Sequence, residues 1–148
     1  MFSAQQDAII ARLTEVLAAN PVTEKTRIIT AAELSRVPES RQFAPAVHVI
    51  YGGHAVGDQI AGGRVQAVVQ NWLVVCTARN AIAQGDPSPA TIDAGRIAEV
   101  VLQALLGFDP LGNGAQLRLA DAPGPEYDGG YCYLPLNFRL RSTFKGIP

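Results

Sequence analysis

The side chains best suited to metal binding or thiol chemistry in this 148-residue sequence are two histidines and two cysteines. His48 and His54 lie six residues apart, with no helix to align them and no third ligand nearby, so they form a poor metal pair. Cys76 and Cys132 lack metal-site spacing and fall among large apolar residues. We therefore predict two buried free thiols and no metal. A catalytic thiol–imidazole pair of Cys76 with His48, on neighbouring strands, is a second hypothesis.

The glycine-rich segment from Gly52 to Gly63 is the other candidate for chemistry, because glycine-rich loops can bind phosphates. It lacks the G-x-G-x-x-G pattern, does not lead into a helix and has no Lys-Ser/Thr ending. The acidic residues are scattered, and Asp93 near a helix start is explained by the helix dipole. The sequence thus predicts no catalytic site and no cofactor. A small enzyme or ligand-binding module that uses His48, Cys76 or this segment is the less favoured alternative.

Tyrosines and arginines on the last predicted strand indicate a different kind of site. Within the stretch from Gly129 to Gly146, apolar residues alternate with these side chains, so one strand face is apolar and the other is aromatic and basic. Both residue types are enriched in protein interfaces and their hot spots. Two more arginines bracket the long strand that precedes it. The candidate interface residues are Arg64, Arg79, Tyr131, Tyr133, Arg139 and Arg141.

The periodicity of apolar residues predicts the elements that position these side chains. Helical spacing predicts an amphipathic helix that begins at Ser3, in an S-x-x-Q capping box, and ends before Asn20. A second helix begins near Ser88 and ends before Gly107. Period-two alternation and short apolar runs predict strands within 26–30, 47–51, 64–80, 116–120 and 129–146. The segment 52–63 is predicted to be a twelve-residue loop, and the residues around Pro38 another.

The order α-β-β-β-α-β-β predicts an α+β fold, in which two helices pack on a mainly antiparallel sheet of four to five strands. The middle of the strand from Arg64 to Asn80 is apolar on both faces. This pattern is typical of a central strand covered by helices on one side and by something else on the other. A neighbouring subunit is one candidate for that second cover. Residues 1–148 contain no repeat or boundary, and we expect one domain.

The bulk composition disfavours several classes of function. The net charge is −1 and no run of Lys or Arg stands out, which argues against wrapping of duplex DNA. The chain does not begin with a basic segment and an apolar core, so no signal peptide is predicted. Its longest apolar run is far shorter than a membrane helix. We expect a soluble protein that is made in a cytoplasm and has no membrane partner.

The order and spacing of these features resemble one protein family along nearly the whole chain. An amphipathic helix precedes a strand that runs into the glycine-rich segment. A strand with the sequence WLVVCTARN (Trp72 to Asn80) follows, then a helix that ends in ALLGFDP (Ala104 to Pro110), and a last strand with NFRLRSTFKG. Together these features resemble the tail terminator proteins of long-tailed bacteriophages, particularly those of Mu-like and related phages.

The resemblance implies a role in assembly and not in catalysis. Tail terminators are α/β domains that form a six-membered ring on the growing end of the tail tube, stop the addition of tube subunits and present a surface to the head connector. For this chain the resemblance implies a homohexamer in the virion, at the head-proximal end of the tail, assembled in the cytoplasm of a bacterial host. Its partners would be copies of itself, the tail tube protein and a head–tail connector or neck protein. DNA would pass through the ring without sequence-specific binding.

In such a ring each subunit presents two different patches that meet head to tail, which would give the Tyr/Arg strand face a partner. The glycine-rich segment is a further interface candidate. Another virion component, such as a head–tail connector or a tube subunit, is the nearer alternative, because these are also small α/β ring formers. The candidate interface residues in the segment are Gly52, Gly53, His54, Gly57, Asp58, Gly62 and Gly63.

Overall fold

A computed structural model describes residues 2–30, 44–80 and 88–148 of the chain. Within these ranges two helices, α1 (Phe2–Ala19) and α2 (Ser88–Leu105), pack on a sheet of six strands. The predicted α+β class with a mainly antiparallel sheet is confirmed, with six strands where four to five were expected. The strands are β1 (Arg27–Thr30), β2 (Ala46–Ile60), β3 (Val65–Arg79), β4 (Arg118–Ala120), β5 (Glu126–Asp128) and β6 (Tyr131–Lys145).

Both helices follow the predicted amphipathic patterns. α1 begins one residue before the predicted capping residue Ser3, and α2 begins at Ser88 with Pro89 in its first turn, where a missing N–H has no cost to the helix. Gly107 follows the end of α2 with a φ of 73°, the left-handed conformation expected there. The buried residues of α1 recur every four positions and therefore form one stripe: Gln5, Ile9, Leu13 and Leu17.

The strand order is β1-β2-β3-β6-β4, and β5 also pairs with β6. β1 runs parallel to β2, and the other pairs are antiparallel. β3 and β6 pair along their whole length, from Val65 opposite Lys145 to Arg79 opposite Tyr131. This central pair therefore supports the rest of the sheet. The predicted loop around Pro38 lies outside the described residues.

The Pro/Gly-rich residues 121–128, between the predicted strands 116–120 and 129–146, contain the additional strand β5. It forms a hairpin with β6 across the turn Gly129-Gly130, where both glycines have positive φ. Two consecutive residues with positive φ are the requirement of a type I′ turn, the tight hairpin turn whose twist matches that of the flanking strands. The two glycines therefore allow a three-residue strand to pair with β6 in a stretch whose prolines and glycines otherwise resemble loop.

The glycine-rich segment 52–63 is not a twelve-residue loop, which corrects the prediction. β2 continues to Ile60, and the turn to β3 consists of the short 3-10 helix Ala61–Gly63 and Arg64. Gly62 and Gly63 have φ of 67° and 89°, so this turn uses the backbone freedom that glycine provides.

Two β-bulges explain the remaining glycines of the segment. Gly52 and Gly53 together lie opposite the single residue Asn71, and Gly57 with Asp58 lies opposite Ala67. In a bulge, two residues of one strand face one residue of its partner. A Cβ on Gly57 would lie 3.1 Å from the Cβ of Ala67, a tighter contact than most Cβ atoms make, so the close approach of the two strands favours glycine at this position. Glycine within a strand marks such bulges as well as loops, and the sequence pattern does not separate the two.

The core lies between the helices and one face of the sheet, which we call the helix-covered face. Trp72 and Phe138 lie opposite each other on β3 and β6 and are 1% and 0% exposed. The indole Nε1 of Trp72 donates a hydrogen bond of 3.2 Å to Oε1 of Gln5, which satisfies the buried polar group of the tryptophan. α1 is thereby fixed to the central strand. Neither helix in the described ranges is long and apolar enough to cross a membrane.

Candidate assembly interface

The opposite side of the sheet, which we call the outer face, carries the residues that alternate with the core residues. Leu73 and Val75 on β3 and Pro135 on β6 are only half-buried there, although their neighbours Trp72 and Val74 are buried against the helices. The prediction that β3 is apolar on both faces is therefore confirmed. A half-exposed apolar centre on a sheet face indicates a surface suited to a protein partner.

One end of the outer face is a groove of about 830 Å³ that contains three arginines. Arg118 on β4 lies directly opposite Arg139 on β6, and Arg141 is two residues further along. The groove also contains Asp121, and Asp58 approaches Arg141 at 3.7 Å between exposed side chains. Like charges directly opposite each other destabilise a strand pair. Arg118 was not among the predicted interface residues, because its position opposite Arg139 depends on a strand pairing that sequence alone does not show.

The other end of the outer face is aromatic. The rings of Tyr131 and Tyr133 stack with centroids 6.0 Å apart, and Arg79 places its guanidinium 5.0 Å from the ring centroid of Tyr131. Arg79 is the cross-strand partner of Tyr131. The contact is a cation–π interaction between neighbouring strands.

The structure therefore places the predicted tyrosines and arginines of β3 and β6 on one face but not in one patch. Ten residues separate Tyr131 from Arg141 on β6, a distance of roughly 33 Å along an extended strand. Arg64 lies in the turn after β2 and Arg79 at the far end of β3, so these two bracket β3 as expected. The predicted residues of β3 and β6 thus form two sites at opposite ends of the outer face, and Arg64 belongs to neither.

The residues of the glycine-rich segment lie along β2 and its turn, in a part of the sheet that we call the arm (residues 54–69 and 141–145). Most side chains of β2 in the arm are exposed. His54 pairs with Gln70 and lies on the helix-covered side, whereas Asp58 reaches Arg141 from the outer side. Gln66 fixes the second bulge, because its side-chain Nε2 donates to the carbonyl oxygen of Gly57 at 2.9 Å.

The residues proposed for catalysis do not form a site. His48 pairs with Val75 and lies on the outer face, whereas Cys76 pairs with Val47 and lies in the core. The sheet separates the imidazole from the thiol, so the hypothesis of a Cys–His pair is wrong. His54 lies on the other side of the sheet from His48. In the described ranges no three potential metal-binding side chains of His, Cys, Asp or Glu come together.

Burial determines the electrostatics of these groups. Desolvation raises the pKa of the Cys76 thiol to about 12, and the neighbouring Cys132 adds to the rise. Burial also raises the pKa of Cys132, and both thiols are free and buried, as predicted. A raised thiol pKa keeps the sulfur protonated and unreactive. Burial lowers the pKa of His48, whose Nε2 atom is buried and has no hydrogen-bond partner among the described residues.

The comparison with known families gives the identity of the fold just described. The model of the phage tail terminator protein family matches residues 3–147. The chain belongs to the phage tail terminator family. The resemblance deduced from the sequence is therefore confirmed. This terminator is a structural protein of a phage tail and, as such, a virion component that associates with other tail components.

A solved structure supports the terminator fold. One chain in the virion of a native gene transfer agent particle is similar over 87% of this chain and 90% of that chain, with a TM-score of 0.52 and 18% sequence identity. At this identity the likeness shows the fold alone. No curated protein sequence is similar enough to add a further relative.

Proposed function

We propose that this terminator caps the head-proximal end of a tail tube as a homohexameric ring, ends polymerisation of the tube and provides the surface that joins the head. The outer face is the observation that supports this function best. Its apolar centre, with Leu73, Val75 and Pro135, remains half-exposed between a basic and an aromatic end. An apolar surface flanked by Arg and Tyr is typical of a protein interface.

A ring requires each subunit to present two different surfaces that meet head to tail. The outer face supplies one such surface, and the helix layer on the other side of the sheet supplies a different one. The tube protein and a head–tail connector or neck protein are the further partners in this proposal. Residues 1–148 act as one domain, and the net charge of −1 suits a ring through which DNA passes without being held.

Deletion of the gene in the phage or prophage that encodes it tests the capping function. Without the terminator we expect tubes of variable and excessive length with few heads attached, and expression of the intact chain should restore uniform tails. The lengths are measured by negative-stain electron microscopy. Tails of normal length in the deletion strain, or virions that lack the protein, would refute the function.

The number of copies on each tail separates a terminator from a tube subunit. Labelled protein should be found only at the head-proximal end, with six copies if the ring is a hexamer. Native mass spectrometry of the free protein and quantification on purified tails provide the count. Label along the whole tail would instead assign the chain to the tube.

A further inference from the structure

The basic residues of β6 and the acidic residues of the helices lie on opposite sides of the sheet. β6 contributes three basic and no acidic residues, whereas α1 and α2 together contain four acidic and two basic residues. The basic residues of β6, Arg139, Arg141 and Lys145, occupy odd positions and therefore lie on the outer face. The helices lie on the opposite side. The groove end of the outer face is therefore basic and the helix layer is acidic, whereas the aromatic end of the outer face also carries Glu126 and Asp128 of β5, opposite Tyr133 and Tyr131.

On the outer face, the groove holds three arginines and one carboxylate, Asp121, so the subunit itself compensates its positive charge only in part. In the described residues, neither Arg118 nor Arg139 forms an ion pair, and Arg141 has only the contact of 3.7 Å with Asp58. The two side chains of that contact are 61% and 95% exposed, and ion pairs at such exposure contribute little. Since Arg118 and Arg139 lie directly opposite each other, a bound anionic partner would relieve their repulsion.

On the helix layer, three exposed carboxylates have no ion-pair partner among the described residues: Asp7 and Glu15 on α1 and Glu99 on α2. The fourth, Asp93, pairs with Arg96 at 3.8 Å. Arg12 forms no ion pair with these carboxylates in the described residues: its Nε donates to the carbonyl oxygen of Ala104 and its guanidinium stacks on Phe108.

α1 is also shaped for close contact. Asp7 and Glu15 lie two turns apart on the exposed side of the helix, at a spacing of roughly 12 Å along the axis. Between and beside them this side contains small residues, so a flat surface could approach the helix without displacing large side chains. The small exposed residues are Ala4, Ala11, Thr14 and Ala18.

We propose that the groove of one copy binds the helix layer of the next, with Asp7 and Glu15 of α1 against Arg118, Arg139 and Arg141. The occupant is a second copy of this chain, because the complementary charge lies on the opposite side of the same subunit. Two different faces that bind each other give a head-to-tail contact, which is the kind that closes a ring. This assignment rests on the proposed ring. DNA, whose phosphates would also bind arginines, is the competing occupant that the experiment distinguishes.

Two charge-reversed variants test the pairing. The first carries Arg139→Glu with Arg141→Glu, and the second carries Asp7→Lys with Glu15→Lys. Each variant alone brings like charges together at every contact, so its association should weaken about tenfold or more. An equimolar mixture should assemble again, because every contact of an alternating ring is then complementary. Native mass spectrometry, without and with added tail tubes, measures the subunit number and the mixing ratio.

Matched controls and salt sharpen the result. Lys25→Glu, in the exposed turn after α1, lowers the net charge by half as much as the double arginine variant and should assemble like the intact chain. The intact chain should associate less at high salt, because exposed charges are screened beyond about 8 Å at physiological ionic strength. Circular dichroism confirms that each variant is folded.

The possible failures have separate meanings. If the intact chain forms rings that terminate tubes but the mixture gains nothing over the single variants, the charge pairing is wrong and the proposed function stands. If the arginine variant keeps its subunit number and loses only retention of a duplex DNA probe, the groove binds DNA and the pairing is wrong. If the intact chain neither forms rings nor terminates tubes, the proposed function itself fails.

Discussion

On β6, Phe138 and Leu140 point into the helix-covered core, whereas Arg139 and Arg141, their immediate neighbours in sequence, lie exposed on the outer face. The contrast continues on β3, where Trp72 and Val74 are buried while Leu73 and Val75 are only half-buried. The same two strands therefore supply the folding core and the proposed assembly surface. Because successive side chains alternate between faces, a single substitution should affect one role and leave the other nearly unchanged.

The largest effect is expected on the helix-covered face. Phe138→Ala combined with Leu140→Ala removes two side chains that are 0% and 1% exposed. Each such truncation costs roughly 2–5 kcal/mol, and the sum approaches the total stability of about 5–15 kcal/mol of a typical domain. Thermal melting followed by circular dichroism should show no cooperative transition. A cooperative melt near that of the intact chain would place these residues outside the core.

A smaller effect is expected at the second bulge, where β2 and β3 approach closely. Gly57→Val should destabilise the fold by about 1–3 kcal/mol, because its Cβ would lie 3.1 Å from the Cβ of Ala67. Gly95→Ala is the matched control. Gly95 lies within α2, and a methyl group added there would meet no atom within 4 Å, so this change should stabilise by about 0.5–1 kcal/mol. Chemical denaturation measures both, and equal effects would show that the bulge does not need glycine.

The pH dependence of stability tests the buried imidazole on the outer face. Burial lowers the pKa of His48 in the folded chain below its ordinary value of 6.5, which applies to the unfolded chain. At a pH between the folded and the unfolded pKa, the unfolded chain therefore binds more protons than the folded chain. The contribution of the neutral His48 to the free energy of unfolding is therefore complete above pH 6.5 and is lost as the pH falls from 6.5 towards the lower pKa of the folded chain.

Urea denaturation at several pH values on both sides of this range measures the effect. His48→Gln should flatten the dependence, whereas His54→Gln, at an exposed position of the arm, should leave it unchanged. An unaltered slope in the His48 variant would exclude this imidazole as its source.

The smallest effect on stability is expected where the effect on assembly is greatest. Arg139→Ala with Arg141→Ala should change the free energy of unfolding by less than about 0.5 kcal/mol per site, since both side chains are exposed. The same variant should lose ring formation or attachment to the tube. Melting temperature and tail length are the two measurements. Loss of the fold, or tails of normal length, would remove the distinction between the two faces.

The sequence was sufficient to predict the elements whose apolar periodicity is strong. The sequence predicts α2, β3 and the core face of β6 because their apolar residues recur with a clear helical or strand period. The end of α2 is also marked by Gly107. The glycine-rich part of β2 and the short β5 could not be predicted. Glycine occurs at bulges, as at Gly57, and in tight turns, as at Gly129, as well as in loops, so its presence does not separate these structures.

The candidate interface was predictable only in part. The alternation along β6 placed Tyr131 and Arg141 on one face, but a strand pattern does not indicate that they lie at opposite ends of it. Arg118 joined the groove through its pairing with Arg139, a contact between positions 21 residues apart that depends on the fold. The exclusion of a Cys76–His48 pair likewise depended on strand register.

The two bulges of β2 also affect how readily free subunits can pair with one another along a strand edge. Among the described residues, β2 pairs with β1 only over its first four positions. From Ile50 to Ile60 the edge of β2 that faces away from β3 therefore has no strand partner in the described part of the chain. A long, flat edge strand is a template for unwanted pairing between chains, and bulges interrupt the regular spacing that such pairing needs. Gly52-Gly53 and Gly57-Asp58 interrupt this edge twice within seven residues. The bulges therefore disfavour edge-to-edge pairing of free subunits along this part of β2.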